Sequence, residues 1–238
     1  MRAFEVVLHH IEEELLAGRY RVGSTLPAER DFATQLAVSR AAVREAIRAL
    51  EAQGVLDPSV GAGPRSGTRV TSRHTAALSR LVKLHVALGK YQIDHVVESR
   101  ILLERASVAL AARHASHEEL DRIEGVLTAM YQTQARDAFN VLDTRFHVVI
   151  AEVGDNQLVT DLTVAIREAL LRPIAEASGH LSEWAEFRAG LMEHHHAIYA
   201  AIAARDEDQA ADAVERHIRS AYAILGMDAA QGAAASAS

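Results

Sequence analysis

The chain has no cysteine among its 238 residues. That excludes a disulfide framework and any thiolate metal site, so a metal would have to be held by histidines and carboxylates. Long apolar runs are missing too. Nothing approaches the roughly 18 apolar residues of a membrane-spanning helix, and Glu12, Glu13 and Glu14 follow soon after the first apolar residues, unlike a targeting segment. A cytoplasmic protein with no membrane partner is expected. Common enzyme signatures are absent as well. His117-Glu118-Glu119-Leu120-Asp121 lacks the second histidine of a zincin, the run from Gly61 to Gly67 has no lysine for a P-loop, and no Gly-x-Ser-x-Gly occurs.

Positive charge is also short, at a net −7 overall, which looks wrong for a nucleic-acid binder until the chain is divided. Residues 1–73 hold ten Arg against nine acidic residues, for +1, and the remainder holds 15 basic and 23 acidic residues, for −8. Any affinity for DNA must therefore come from locally clustered arginines and not from bulk charge. The 49% hydrophobic and 24% charged content is that of a folded globular chain with room for two domains, which excludes disorder.

What is present is concentrated between residues 26 and 50. Pro27 suits the first turn of a helix, and Ser39 can cap the next one, so helices are expected at about 27–36 and 39–53, meeting near Leu36-Ala37-Val38. In the second helix Val43, Ile47 and Leu50 repeat with the helical period and face a core. Arg40, Arg44 and Arg48 repeat on the flanking face, free to enter a groove. Such an arginine stripe can equally be a solvated face paired with Glu45 and Glu51. Upstream, Phe4, Val7, Leu8, Ile11 and Leu15 mark an amphipathic helix closed by Gly18. Downstream, Gly54 ends the third helix, Val55-Leu56 begins an extended stretch, and the glycine-rich run to Val70 suits a hairpin tip. Residues 1–73 read as a winged helix-turn-helix.

From about residue 75 the pattern is helical throughout: near 75–89, 93–114, 117–135, 137–153, 156–178, 183–204 and 207–225. Ser116 with Glu119 forms a capping box, and Asp206 with Gln209 has a similar arrangement. Pro173 alone interrupts the apolar period and should kink or break its helix. The fold class is mainly α, with an all-α bundle of six or seven helices over 74–226. Residues 227–238 have little to bury and read as a disordered tail.

The chain resembles a GntR-family transcriptional regulator of the FadR subfamily, the kind with a helical FCD ligand-binding domain. Leu26-Pro27-x-Glu29-Arg30, then Val38-Ser39-Arg40-x-x-Val43-Arg44-Glu45-Ala46, then Leu50-Glu51-x-x-Gly54 follow the family pattern in order, and the likeness extends to about residue 226. The resemblance implies that Arg30, Arg40 and Arg44, with Ser39 at the helix start, meet bases and phosphates, and that the wing from Gly63 to Gly67 meets the minor groove. The wing departs from many members by a longer Gly-Pro-Arg-Ser stretch, where Arg65 adds a contact. A guanidinium can bond bidentately to guanine or serve a phosphate, and the sequence leaves open which arginine does which.

Thirteen histidines are many. Asp143 and His147, four apart, share one helix face beside Phe146 and Ile150. In the run His194-His195-His196, His195 shares the side of Ile198 and Ile202, while its neighbours point more outward. His217 lies on the last helix. By spacing alone a histidine on an apolar face is usually a hydrogen-bonded core residue. The FCD resemblance makes Asp143, His147, His195 and His217 the ligands of a divalent metal, Zn²⁺ first, with Ni²⁺, Mn²⁺ and Fe²⁺ as other candidates. It also brings Arg100 near the carboxylate of a bound effector, a task suited to a guanidinium fork. The other reading of Arg100 is an intrahelical pair with Glu104.

The expected function is a homodimeric regulator, a repressor, that binds a double-stranded DNA operator under the control of a small carboxylate metabolite held near the metal. It is not expected to be an enzyme. The competing readings are a metal-dependent hydrolase or isomerase with an attached interaction domain, and a DNA-organising protein without effector.

Overall fold

The computed structural model describes residues 2–59, 67–71 and 76–227. The expected wing tip with Arg65, the expected boundary at 73/74 and the tail beyond residue 227 lie outside the described residues. The chain divides into two compact units, residues 1–78 and 79–238.

In the first unit, helix α1 spans Ala3–Leu16, α2 Glu29–Gln35 and α3 Arg40–Ala52, followed by strands β1 (Leu56–Ser59) and β2 (Gly67–Val70). The core joins Val7 and Ile11 of α1 to Phe32 of α2, to Val43, Ile47 and Leu50 of α3, and to Leu56 and Val70 of the hairpin. The inward stripe expected in α3 is thus buried. Ser39 caps α3, its hydroxyl accepting from the Ala42 amide at 3.2 Å.

Helix α2 begins two residues later than expected. Leu26 donates its amide to the Thr68 carbonyl at 2.9 Å, and Thr25 bridges Arg69, so this stretch stays extended along the hairpin and Pro27 precedes the helix instead of opening it. The turn between α2 and α3 is a Schellman motif: Val38 N–H bonds the Ala33 carbonyl at 3.0 Å and Ala37 N–H the Thr34 carbonyl at 3.3 Å. Ala37 closes it at φ +52°, where Gly54 does the same for α3 at φ +72°.

The hairpin is antiparallel, with Leu56 opposite Val70 and Ser59 opposite Gly67. A Cβ on Gly67 would lie 2.8 Å from Thr25 Cγ2, so a larger residue there would force the Thr25 side chain to shift.

The described residues of the second unit are helical: α4 (Ala76–Ala87, which starts before the division), α5 (Ile93–His114), α6 (His117–Gln132), α7 (Arg136–Val153), α8 (Gln157–Gly179), α9 (Trp184–Ala203) and α10 (Glu207–Ile224). Ser116 and Glu119 form the expected capping box, and Asp206 accepts from the Gln209 amide at 2.9 Å. Helix α8 runs through Pro173 without a break; the ring simply leaves the Ala169 carbonyl without its helical donor. The bundle is arranged around α5, which packs on α7, α8, α9 and α10. Its core includes Phe139, Phe146, Ile150, Leu170, Ile198, Ile202, Ile218 and Tyr222. Among the described residues, no helix is long and apolar enough to cross a membrane.

Candidate functional site

The residues singled out from the sequence fall in two places. On the first unit, Arg40, Arg44 and Arg48 stand exposed along α3. Arg44 is engaged, but not with Glu45 or Glu51. Its Nη2 and Nε donate to Glu29 Oε2 and Oε1 at 2.8 and 3.2 Å, across the helix-turn-helix. That fork holds the Glu29 carboxyl below the usual carboxylate range. Arg30 is largely exposed, with Nε 3.1 Å from Asp31 Oδ1. Gly67 sits at the start of β2 against Thr25.

The second place is internal to the helical unit. Asp143 and His147 project from α7, His195 from α9 and His217 from α10, and one ligand-type atom from each lies within 4.8 Å of all the others. His195 has no exposed surface, and His147 and His217 are 2% exposed. The His195 and His217 ring centres are 4.4 Å apart, and Phe146 packs edge-on against His195 at 4.9 Å. Asp143 Oδ1 lies 3.0 Å from His195 Nε2 and 4.0 Å from His217 Nε2. The shorter approach gives His195 Nε2 the Asp143 carboxylate as its neighbour, whereas His147 Nε2, His195 Nδ1 and His217 Nδ1, all of them buried, have no hydrogen-bond partner. A buried polar atom left so costs about 1–3 kcal/mol. That argues against a merely hydrogen-bonded histidine core.

The donor set fits a divalent cation. Ligands at about 2.0–2.2 Å from one ion lie at most about 4.4 Å from each other, so small movements would close the four atoms on it. Three imidazoles and one carboxylate also suit the first-row metals named from the sequence.

A ring of charge surrounds these four. Glu104 on α5, 1% exposed, accepts from Arg100 Nε at 2.6 Å and from Arg167 Nε and Nη2 at 2.8 and 2.9 Å, and its Oε2 lies 2.7 Å from His147 Nδ1. Arg167 Nη1 reaches Asp143 Oδ2 at 3.2 Å. Arg100 Nη1 donates to the Tyr222 hydroxyl at 3.1 Å. Burial alone would raise both carboxyls. The guanidinium groups and histidines outweigh it, holding Glu104 and Asp143 well below the usual range. Burial, helped by Arg167, pushes His147 down to about 4, and burial with the neighbouring imidazoles pushes His217 well below its ordinary value.

The structure therefore brings together all four residues singled out for the metal. It gives Arg100 the Glu104 pair that the sequence left as one of two readings. Sequence reasoning missed Arg167 and Tyr222, and took Glu104 only as a helical neighbour. One signal was available for Arg167, which shares the inward stripe of α8 with Thr160, Thr163 and Leu170. A groove of about 470 Å³ is lined by residues of α9, of α10 and of the segment before α9, His194 among them. Glu183 and Glu186 line it, which makes it a poor place for an anion.

Residues 95–220 match the family described as FCD domain, and residues 4–70 match bacterial regulatory proteins, gntR family. The chain is similar to the HTH-type transcriptional repressor NanR of Cronobacter sakazakii (strain ATCC BAA-894), 30% identical over 220 residues that cover 92% of this chain and 84% of that protein. It is also similar to the HTH-type transcriptional regulator LutR of Bacillus subtilis (strain 168), 28% identical over 87% of this chain and 94% of that one. In fold it is similar to Streptococcus agalactiae GntR, with a TM-score of 0.65 at 23% identity over 91% of this chain and 97% of that chain.

Proposed function

Because the chain belongs to the GntR family of bacterial regulatory proteins and carries an FCD domain, we propose that it is a homodimeric repressor of the FadR type. In this reading a small carboxylate, bound beside a divalent metal in the helical unit, controls its hold on an operator. Family membership sets aside the metal-dependent hydrolase or isomerase, since these are non-enzymatic DNA-binding regulators. Repression is the activity named for the NanR relatives. The proposed division is a DNA-binding part over 1–73 and an effector- and metal-binding part over 74–226. Arg40 and Arg44, with Arg30 and Ser39, would read the operator, Arg65 and Gly67 would contribute the wing, and two copies would match an inverted repeat.

The observation that carries the effector half is the cluster of Asp143, His147, His195 and His217, with its buried, unpartnered nitrogens. A bound metal would supply a Lewis-acidic centre for an anionic oxygen. The surrounding charges favour that ligand class. Arg100 and Arg167 are balanced by Glu104 and Asp143, and imidazoles must be neutral to ligate. A divalent ion would therefore leave two positive charges uncompensated in a buried place, which an anion offsets. Control then requires that the effector prefer one arrangement of the DNA-binding units over another.

Elemental analysis of the purified protein tests this directly, with one Zn²⁺ or similar ion per chain expected. His195→Ala and His217→Ala should lose the metal while keeping operator affinity. Metal-free wild-type protein that cannot be loaded with any of the four candidate ions would overturn the reading.

A further inference from the structure

Glu104 is not one of the four ligand-type residues, yet among the described residues it is the most heavily hydrogen-bonded carboxylate of the helical unit. Oε1 accepts from Arg100 Nε and Arg167 Nε, and Oε2 accepts from Arg167 Nη2. The remaining direction of Oε2 meets His147 Nδ1 at 2.7 Å. A carboxylate has no proton to give, so His147 must donate from Nδ1, and its lone pair is then on Nε2. That nitrogen is the buried, unpartnered one. The same carboxylate grips Arg167 with two bonds, and Arg167 Nη1 in turn holds Asp143 Oδ2, leaving Oδ1 as the oxygen nearest His195 and His217.

We infer that Glu104, with Arg167 as its extension, is a positioning residue. From α5 and α8 it selects which atoms the two α7 residues present, Nε2 of His147 and Oδ1 of Asp143. This rests on the metal reading above and adds a determinant of affinity that does not itself touch the ion. Metal-ligating histidines generally donate their other ring N–H to an oriented acceptor, which fixes the tautomer and raises ligand basicity.

Glu104→Gln is the informative change because it keeps the shape, while an NH₂ in place of Oε2 turns the His147 contact around and gives up the single bond from Arg167 Nη2. The amide oxygen would be drawn to the two guanidinium groups. The amide NH₂ would then face His147 Nδ1, forcing it to accept and moving the ring proton to Nε2, where it blocks ligation. Two measurements test the inference on the full chain. The ¹⁵N resonances of His147 in metal-free protein, assigned by comparison with His147→Gln, should show the Nδ1–H form in wild type and the Nε2–H form in Glu104→Gln. Zn²⁺ affinity, by competition with a chromophoric chelator, should fall about 10- to 100-fold in Glu104→Gln, the usual effect of losing such a partner. A folded Glu104→Gln with wild-type affinity and an unchanged tautomer overturns the inference. If that variant does not fold, the wild-type spectrum decides, because an Nε2–H His147 in metal-free protein overturns it equally. Wild-type protein that takes up no Zn²⁺ overturns the metal reading and this inference together. Zn²⁺ uptake with no response to the substitution overturns only the role of Glu104.

Discussion

Acidifying the metal-free protein should weaken its fold at a pH where carboxylates are still charged. His147 is buried and pushed down to about 4, against about 6.5 for an exposed histidine. Between those values the unfolded chain takes up a proton that the folded chain refuses. Stability is therefore complete above about 6.5 and is lost as pH falls toward the folded value. The full gap of roughly 2.5 units corresponds to about 3 kcal/mol, of which about 2 kcal/mol is lost by pH 5. His217 is shifted the same way and adds to the loss. Glu104 and Asp143, held well below the usual carboxylate range, come into play only at lower pH. Urea unfolding of chelator-treated protein at pH 7.5 and 5 measures the effect. With a slope of about 2 kcal/mol/M the midpoint should drop by about 1 M or more, and His147→Gln should reduce the drop. Equal midpoints at the two pH values would refute the reasoning, since they would mean that the buried imidazoles titrate alike in both states.

Arg44→Ala should weaken operator binding by about 1–3 kcal/mol if the guanidinium reads a base, or lower the salt slope by about 1 if it holds a phosphate. Its exposed pair with Glu29 is worth only about 0–1 kcal/mol, so the melting temperature should barely move; unchanged affinity and salt dependence would remove Arg44 from the interface. Ala37→Gly should stabilise the first unit by about 1 kcal/mol, because φ +52° is costly for a residue with a Cβ and free for glycine. A lowered urea midpoint would contradict this. Light scattering should give twice the chain mass, and a monomer protecting one asymmetric site would contradict the proposed dimer on an inverted repeat.

Much of this architecture is legible in the sequence because it rests on local periodicity. Val43, Ile47 and Leu50 announce the buried stripe of α3, and Ser116 with Glu119 announces the start of α6. What the sequence hides depends on partners far along the chain. Helix α2 starts at Glu29 because Leu26 is tied to Thr68, some forty residues on, which overrides the local preference of Pro27 for a first turn. Arg44 pairs with Glu29 and not with a neighbour on its own helix, because the turn at Ala37 brings α2 against α3. The candidate site divides the same way. Its four ligand-type residues follow from spacing joined to a family pattern, whereas the Glu104–Arg167 bracket joins α5 to α8 and has no local signature beyond an arginine on an inward stripe.

The proposed coupling of metal, effector and operator runs through Asp143, His147, His195 and His217. It is tested most directly by fluorescence anisotropy of a labelled operator, with metal-loaded protein titrated by a panel of small carboxylates, in parallel with the His195→Ala, His217→Ala double variant. At least one carboxylate should release the operator from the loaded wild-type protein, and the double variant should bind the operator with similar affinity but ignore that carboxylate. A double variant that still releases the operator at the same effector concentration would contradict it.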